Sequence, residues 1–331
     1  MTGTIRTRQL GSSGIQASVV GLGTWAIGGW MWGGTEGRES VAAIQAAVDE
    51  GVSLIDTAPA YGMGKSEELV GEALIGRRDK VVLSTKCGLV WHSQQGNYFF
   101  DQYDKPVHRY LGADSIIYEV EQSLKRLRTD YIDHYITHWQ DPTTPIAETM
   151  EALERLKQQG KIRSIGVSNV SVEELKDYIT NGAVDAVQEC YSMLDREIEE
   201  TLLPVCRSNN VSCMGYSSLA LGLLSGKIGP ERKFDGDDQR KDNPRFSVSN
   251  RRKIAAMLEE IMPIAEARNV SIAQTVIAWT LEQPGITFSL CGARNPQQAI
   301  ENARAAALVL TPEEVRLIGK ALSAYSQNMD A

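Results

Sequence analysis

The amino-acid sequence predicts an α/β fold, a (β/α)8 TIM barrel formed by one domain over residues 1–331. Two observations lead to this prediction. Eight short apolar runs alternate with segments of helical periodicity, and no change of composition divides the chain into two parts. A doubly wound sheet is the structural alternative, because periodicity alone does not exclude it.

The chain begins with a predicted β-hairpin, in which residues 8–10 and the chain from Ile15 flank a Gly/Ser turn. Apolar runs predict the eight barrel strands near residues 19–23, 52–55, 81–85, 131–137, 163–167, 183–189, 211–216 and 286–290. Helical spacing predicts helices near residues 39–50, 65–75, 114–127, 146–160, 171–182, 198–208, 248–268 and from 271 onward. Two more helices, starting at Asn295 and Thr311, close the chain.

Several helix starts carry capping signals. The spacing typical of a capping box occurs in Ser171 with Glu174, Ser271 with Gln274, and Asn295 with Gln298. Asp114 is expected to cap the helix that follows it.

Two long segments leave from carboxyl ends of predicted strands, so both should border the barrel mouth. Residues 91–112 are rich in aromatic side chains, which favours a packed loop. Residues 226–248 are polar, and a disordered surface loop is an equally good interpretation of them.

Composition restricts the function classes. The formal net charge is −8, which argues against a nucleic-acid partner or an anionic membrane surface. No apolar run approaches the roughly 18–20 residues of a membrane span, and the N-terminal residues lack the apolar core of a secretory signal. The five cysteines are scattered without a disulfide-like pattern, which predicts a reduced, cytoplasmic location.

Four groups that can carry protons lie at or just after three consecutive predicted strands: Asp56, Tyr61, Lys86 and His138. Tyr61 is a candidate general acid, because an ammonium group nearby would lower its pKa from the usual value of about 10. Lys86 would supply that charge, Asp56 would hold Lys86, and His138 would orient a substrate oxygen or pass a proton. This set suits protonation of a carbonyl oxygen while a cofactor delivers hydride to the carbon.

Each of these residues alone has a structural explanation, as a cap, a packing group, a surface lysine or a core histidine. Their spacing across three strand ends is what favours a catalytic role. His134 and His138 do not predict a metal site, since four residues along a strand separate them by roughly 13 Å. We predict no metal.

The predicted nucleotide site lies near the C-terminus, since no strand is followed by the glycine pattern of a Rossmann fold. The turn from Cys291 to Gln298 follows the eighth strand and opens a helix, which is where barrel phosphate sites recur. Arg294 can bind a phosphate through its guanidinium. The turn contains no acidic residue that would accept a hydrogen bond from a ribose hydroxyl, which favours NADPH over NADH. A purely structural connection is the alternative.

Motifs along the whole chain resemble the aldo-keto reductases: Gly21-Leu22-Gly23-Thr24-Trp25, residues 56–62, Ser84-Thr85-Lys86, Thr137-His138-Trp139, Gly166-Val167-Ser168-Asn169, Gln188, Tyr216-Ser217-Ser218-Leu219, Gly292-Ala293-Arg294 and Glu301-Asn302. The resemblance implies a TIM barrel with an N-terminal hairpin plug and NADPH extended across the barrel mouth. It also implies a tetrad of Asp56, Tyr61, Lys86 and His138, with Tyr61 as the acid.

The same matching implies the cofactor contacts. It places the carboxamide against Ser168, Asn169 and Gln188, with Tyr216 stacked on the nicotinamide. It further implies pyrophosphate contacts by Ser217, Leu219 and Gly222, 2′-phosphate contacts by Arg294 and Gln298, adenine contacts by Glu301 and Asn302, and nucleotide contacts by Gly23, Thr24, Trp25, Asp56 and Gly292. Many members have Lys-Ser at 292–293 and Arg at 298, so this chain resembles the branch of bacterial general reductases and potassium-channel β-subunits.

The expected function is NADPH-dependent reduction of aldehydes, with ketones as further candidates. A regulatory NADPH-binding subunit with slow turnover is one alternative, and a Schiff-base lyase that uses Lys86 is another. An aromatic rim suited to small aldehydes is expected from Trp25, Trp30, Trp32, Trp91 and Trp139. We expect a monomer whose partners are small carbonyl compounds.

Overall fold

The computed structural model describes residues 4–326 and contains thirteen β-strands and ten α-helices in that range. The strands are β1 (Thr7–Gln9), β2 (Gln16–Ser18), β3 (Val20–Gly23), β4 (Leu54–Asp56), β5 (Val82–Cys87), β6 (Leu89–Val90), β7 (Asn97–Gln102), β8 (Lys105–Arg109), β9 (Ile132–Thr137), β10 (Ile162–Ser168), β11 (Ala186–Cys190), β12 (Ser212–Tyr216) and β13 (Ile286–Gly292). The helices are α1 (Gly37–Asp49), α2 (Lys65–Ala73), α3 (Ala113–Leu127), α4 (Ile146–Gln158), α5 (Val172–Asn181), α6 (Leu202–Ser208), α7 (Val248–Arg268), α8 (Ile272–Leu281), α9 (Pro296–Arg304) and α10 (Pro312–Ser326).

Eight parallel strands close into a barrel in the order β3, β4, β5, β9, β10, β11, β12, β13, and β13 returns to β3. The predicted (β/α)8 barrel is therefore confirmed, and the doubly wound sheet is excluded because the sheet has no open edge. Residues 1–3 and 327–331 lie outside the described range, so a single domain over 1–331 stays a prediction. Within residues 4–326, no helix is long and apolar enough to cross a membrane.

The capping predictions have different outcomes. Both serine boxes form, at the starts of α5 and α8. Asn295 caps α9, but the Gln298 Oε1 atom accepts from the Arg294 backbone and not from Asn295, so this box is only half made. Asp114 is not a cap, because α3 already begins at Ala113 and the Asp114 carboxylate accepts from the Tyr110 hydroxyl. The predicted helix over 198–208 is a 3-10 turn followed by α6.

The N-terminal hairpin of β1 and β2 closes the lower end of the barrel. Its buried side chains Leu10, Ile15 and Ala17 contact barrel-interior residues such as Leu54 and Phe288. Gly11 sits under Asp185 with φ +51°, and a Cβ there would come within 2.2 Å of the Asp185 carbonyl oxygen. The hairpin is therefore a plug that requires glycine at its turn.

Both long segments at the mouth are folded. Residues 89–109 form a three-stranded antiparallel sheet in the order β6, β8, β7, so the aromatic-rich insertion is packed, and it contains strands that the sequence did not indicate. The 226–247 segment is held against the loop between β3 and α1, which we call the mouth loop (residues 24–36). The Asp237 carboxylate accepts from the Met31 and Gly33 backbones, and Gln239 N donates to Met31 O.

The plug generates a stability prediction. Leu10→Ala should lower the free energy of unfolding by about 2–5 kcal/mol, because Leu10 is fully buried and the barrel floor cannot collapse around the cavity. Leu317→Ala is the matched control, since that side chain is 43% exposed on α10 and its loss should cost roughly 0.5 kcal/mol or less. Urea unfolding followed by circular dichroism measures the free energy of unfolding of both variants. Equal losses of stability would show that the plug is not part of the barrel core.

Candidate active site

A deep cleft of about 860 Å³ opens at the carboxyl ends of the barrel strands. Every predicted site residue except Lys86 lines it: Gly23, Thr24, Trp25, Asp56, Tyr61, His138, Ser168, Asn169, Gln188, Tyr216, Ser217, Leu219, Gly222, Gly292, Arg294, Gln298, Glu301 and Asn302. These residues come from all parts of the chain, so the barrel brings the predicted site together. Lys86 lies directly below the cleft floor and is fully buried.

Asp56 and Lys86 form a buried ion pair beneath Tyr61. Lys86 Nζ donates to Asp56 Oδ2 at 2.8 Å and to the Thr57 carbonyl oxygen at 2.8 Å. The two side chains are 4% and 0% exposed, respectively. Burial lowers the pKa of Lys86, and the charge of Asp56 opposes that change. The pair is thus a fixed dipole in the floor of the cleft, with no face of the ammonium open to solvent.

The Asp56 carboxylate also organises its neighbours. Its Oδ1 atom accepts from Ser84 Oγ at 3.1 Å and from Gln188 Nε2 at 2.8 Å. Adjacent strands allow this, because Asp56 of β4 pairs with Ser84 of β5. Since the amide nitrogen of Gln188 is used by Asp56, the amide oxygen of Gln188 is the group that it can offer to a ligand.

Tyr61 is placed by the turn after β4. Its ring is stacked with Trp25, with centroids 6.3 Å apart, and meets the His138 ring edge-on at 5.7 Å. Lys86 Nζ lies 5.0 Å from the centroid of the Tyr61 ring. A Cβ at Gly28 would come within 2.6 Å of the Tyr61 backbone, so the close approach of the mouth loop to Tyr61 depends on glycine.

The expected lowering of the Tyr61 pKa is wrong for this structure. Burial and the carboxylate of Asp56 raise the pKa of Tyr61 well above 10. The physical reason is that Asp56 is hydrogen-bonded to Lys86 and offsets its charge, while the cleft disfavours a phenolate. Tyr61 is consequently a protonated phenol at every pH near neutrality.

His138 follows β9, and its backbone is fixed on both sides. Its N–H donates to Cys87 O at 2.9 Å, and its carbonyl oxygen accepts from Asn169 Nδ2 at 2.9 Å. Burial, with a smaller effect from the charge of Lys86, lowers the pKa of His138 well below 6.5. The ring is therefore a neutral imidazole that can donate one hydrogen bond and accept one.

Asn169 links three of the predicted residues. It accepts from the Tyr216 hydroxyl at 2.7 Å, and its amide nitrogen donates to His138 O and to Ser168 Oγ. Asn169 has φ +56°, a left-handed conformation that asparagine tolerates better than most residues. Both of its amide hydrogens are used within the protein, so only its oxygen has capacity left for a ligand.

The turn after β12 lines the cleft with a backbone of unusual conformation. Ser217, Ala220, Leu221 and Gly222 have φ values of +59°, +46°, +55° and +92°. The turn is held by its own hydrogen bonds, since Ala220 N donates to Ser217 O at 2.6 Å and Gly222 N to Leu219 O at 2.9 Å. Gly222 was predicted at this position, whereas the strained neighbours Ala220 and Leu221 carry no signal in the sequence.

Arg294 is not a free cation at the cleft. Its Nη1 donates to Trp32 O at 3.1 Å and its Nη2 to Gly34 O at 2.7 Å, so it ties the mouth loop to the turn after β13. Gln298 accepts from the Arg294 backbone, and Asn302 Nδ2 donates to Gly292 O at 3.0 Å. The Thr24 hydroxyl is likewise used by the protein, since it donates to Asp56 O at 2.9 Å.

The rim also contains residues that sequence reasoning missed. Phe99 and Phe100 of β7 line the cleft, and Phe100 stacks on Trp30 with centroids 5.3 Å apart. Trp91, expected on the rim, packs against the buried cluster below it. The structure also adds cationic side chains from the 226–247 segment, namely Lys227, Arg232 and Arg240. Their positive charge was readable in the sequence, but their position over the cleft was not.

Within residues 4–326, no group of three or more His, Cys, Asp or Glu side chains is arranged to hold a metal ion. His134 is a core residue, whose Nδ1 is 2.8 Å from Ser164 Oγ. Burial lowers its pKa to about 3.

A parallel barrel whose mouth combines a buried Lys–Asp pair, a tyrosine and a histidine suits an oxidoreductase in which a side chain gives a proton to a carbonyl oxygen. Comparison with known families is consistent with that class. The model of the aldo/keto reductase family matches residues 19–323, and the chain belongs to this family. It is an NAD(P)H-dependent oxidoreductase.

Several relatives are similar over nearly their whole length. The NADH-specific methylglyoxal reductase of Escherichia coli (strain K12) is 41% identical over 315 residues, which are 93% of this chain and 96% of the relative. A glycerol dehydrogenase from Gluconobacter oxydans has a similar structure, with a TM-score of 0.86, 38% identity and coverage of 100% and 98% of the two chains. A Klebsiella pneumoniae aldo/keto reductase solved with NADP and acetate has a TM-score of 0.73 and 30% identity, covering 98% and 96%.

The buried histidines generate a titration prediction. We expect the ring signals of His134 and His138 to show no protonation between about pH 5 and 8, because burial lowers both pKa values. Imidazole nitrogen shifts in a heteronuclear NMR titration measure this, and Lys86→Met should leave both rings neutral because burial is the larger cause. A His138 transition near pH 6.5 in the folded protein would contradict the neutral imidazole.

Proposed function

We propose that this protein reduces small aldehydes to alcohols with NADPH, and that Tyr61 donates the proton to the carbonyl oxygen. The observation that carries this proposal is the half-buried phenol above the Lys86–Asp56 pair, with its pKa raised, at the inner end of an aromatic-rimmed cleft. A phenol that stays protonated is available as an acid in the direction of reduction.

The residues present fit NADPH. The cleft runs from His138 past Tyr216 to Asn302, which is the extended path that a dinucleotide requires. The turn at 217–222 lines the cleft, α9 begins at the cleft with its amino end, and the Arg294 guanidinium lies at the same end. NADPH would supply hydride when bound. Gln188 would accept from the carboxamide through its amide oxygen, and Asn169 through the remaining lone pair of an amide oxygen that already accepts from Tyr216.

The four tetrad residues then have separate tasks. Tyr61 gives its proton to the oxygen that becomes the alcohol. Neutral His138, whose ring meets Tyr61 edge-on, donates a hydrogen bond to the same oxygen and so fixes the carbonyl. Lys86 stabilises the negative charge that forms on Tyr61 as the proton leaves, and Asp56 keeps the ammonium in place beneath the ring.

The two alternative functions, a Schiff-base lyase and a regulatory NADPH-binding subunit, differ in how well the site fits them. A Schiff-base lyase needs a lysine that reaches substrate, but Lys86 is fully buried and donates to two oxygens below Tyr61. A regulatory NADPH-binding subunit would share the cofactor residues and differ in rate. Sustained turnover of an aldehyde, many cycles per protein molecule, would exclude the regulatory function.

Tyr61→Phe tests the acid role. We expect turnover of a small aldehyde such as methylglyoxal to fall at least about 100-fold, because the phenol is the group that supplies the proton, whereas the neutral His138 ring only donates a hydrogen bond. The dissociation constant of NADPH, measured by quenching of tryptophan fluorescence, should stay within about twofold, since the ring itself is retained. The matched control is Tyr118→Phe, because Tyr118 lies on the exposed face of α3 and its change leaves the cleft unchanged. Trp25→Phe is unsuitable as a control, because Trp25 stacks on Tyr61 and lines the cleft. If the Tyr61→Phe variant reduced the aldehyde at the wild-type rate, Tyr61 would not be the general acid.

Arg294 provides the test of cofactor preference. If its guanidinium exchanges the two loop carbonyls for the 2′-phosphate, Arg294→Met should weaken NADPH binding about tenfold or more and leave NADH binding nearly unchanged. Asp237→Asn is the matched control, because Asp237 also holds the mouth loop but carries no positive charge. If Arg294→Met weakened NADPH binding and NADH binding equally, Arg294 would contribute only by holding the mouth loop. The NADH-specific relative makes this outcome a serious alternative.

A further inference from the structure

Glu189 is a buried carboxylate that none of the roles described above uses. It follows Gln188 in β11, and successive residues of a strand face opposite sides. Gln188 therefore lines the cleft, whereas Glu189 faces away from it, towards Glu174 of α5 and Cys206 of α6. Glu189 is only 7% exposed, and within residues 4–326 its polar contacts are backbone N–H groups and not a basic side chain. Burying a carboxylate without a counter-ion is costly, so stability alone does not account for this residue.

The backbone groups that contact Glu189 belong to the turn between β10 and α5. The parallel register pairs Ser168 with Gln188, so the following residue, Asn169, emerges beside Glu189. The Glu189 Oε1 atom accepts from Val170 N at 3.0 Å, whereas Asn169 N donates to Gln188 O at 3.4 Å. The Glu189 carboxylate thus fixes the peptide that leaves Asn169, whose own φ is +56°.

Asn169 connects this peptide to residues that follow or end two other strands. Its amide nitrogen donates to His138 O, after β9, at 2.9 Å, and its amide oxygen accepts from the hydroxyl of Tyr216, in β12, at 2.7 Å. His138, Asn169 and Tyr216 all line the cleft at the nicotinamide end of the proposed cofactor path. A carboxylate outside the cleft therefore holds the central member of this set.

We propose that Glu189 is a positioning residue for the nicotinamide end of the cofactor. Its negative charge holds the 169–170 peptide, and thereby keeps the Asn169 oxygen and the Tyr216 hydroxyl in the arrangement that receives the carboxamide. The charge matters because an ionised acceptor makes a hydrogen bond about twice as strong as a neutral one. This inference rests on the proposed function and deepens it.

The charge of Glu189 changes close to neutral pH. Burial raises the pKa of Glu189 to about 7 and the Glu174 carboxylate adds to this, while the N–H groups of Val170 and Asn169 oppose it. The other titratable groups that face Glu189 stay neutral, because burial raises the pKa of each of them: Cys190, Cys206, Cys213 and Tyr216. As the pH falls from about 8 to about 6, Glu189 therefore takes up a proton and loses its hold on the turn.

Two ligands that differ by the nicotinamide test this inference: NADPH and 2′-phospho-ADP-ribose, with both dissociation constants measured by calorimetry between about pH 6 and pH 8. Relative to the nicotinamide-free ligand, NADPH should bind the wild-type protein about fivefold more weakly at the lower pH, since a neutral hydrogen bond to Val170 replaces a charge-assisted one. The 2′-phosphate titrates in both ligands, so its effect cancels from the ratio.

Glu189→Gln should give the weaker ratio at every pH, because glutamine keeps the shape of the side chain and lacks the charge. Glu174→Gln is the matched control. Its carboxylate accepts from Ser171 N in the same turn and not from Val170, so this variant should leave the ratio at about pH 8 unchanged.

Equal weakening of both ligands by Glu189→Gln would show a purely structural role and overturn the inference, as would a wild-type ratio that does not change with pH. The pH series uses the unsubstituted protein, so it decides the question even if Glu189→Gln does not fold. If the ratio behaves as expected but no aldehyde is reduced, the reductase proposal fails and the role of Glu189 stands. If aldehydes are reduced while the ratio stays constant, only the inference about Glu189 fails.

Discussion

The buried Lys86–Asp56 pair is the interaction on which the mouth of the barrel depends. Taking an ammonium and a carboxylate out of water costs several kcal/mol for each ion, and their mutual attraction offsets this only when every remaining donor and acceptor is matched. Here Thr57 O accepts a second hydrogen bond from Lys86, while Ser84 and Gln188 donate to Asp56. The same hydrogen bonds that stabilise the buried charges also orient the side chains of β4, β5 and β11 towards the cleft.

Several mouth residues hold conformations that a stable fold would avoid. Asn169, Ser217, Ala220 and Leu221 all have positive φ, and each costs of the order of 1 kcal/mol. They lie after the ends of β10 and β12, where the Asn169–Tyr216 hydrogen bond borders the cleft. Strain is thus concentrated at the end of the barrel that binds ligands, while the opposite end is packed with aliphatic side chains.

The barrel could be predicted from sequence because each strand and helix has a local signal, and Ser171 and Ser271 cap the helices that their spacing indicates. The proximity of Asp56, Tyr61, Lys86 and His138 could be predicted because strand ends in a parallel barrel converge, while their catalytic roles stay a prediction. The strands of the 89–109 insertion were missed, since a register shift between Tyr98 and Phe100 breaks the period of two. The Tyr61 pKa was predicted in the wrong direction because desolvation depends on packing across the whole cleft, which no local pattern encodes.

Because the hairpin plug closes one end of the barrel, molecules can enter and leave its interior only at the mouth. With Leu10, Ile15 and Ala17 sealing the floor, the barrel is a blind well and not a channel. Any molecule or proton that reaches Tyr61 must therefore enter through the mouth and leave through it. Lys86 and His134 have no exposed surface, so the barrel interior, and not the solvent at the mouth, surrounds their proton-carrying groups.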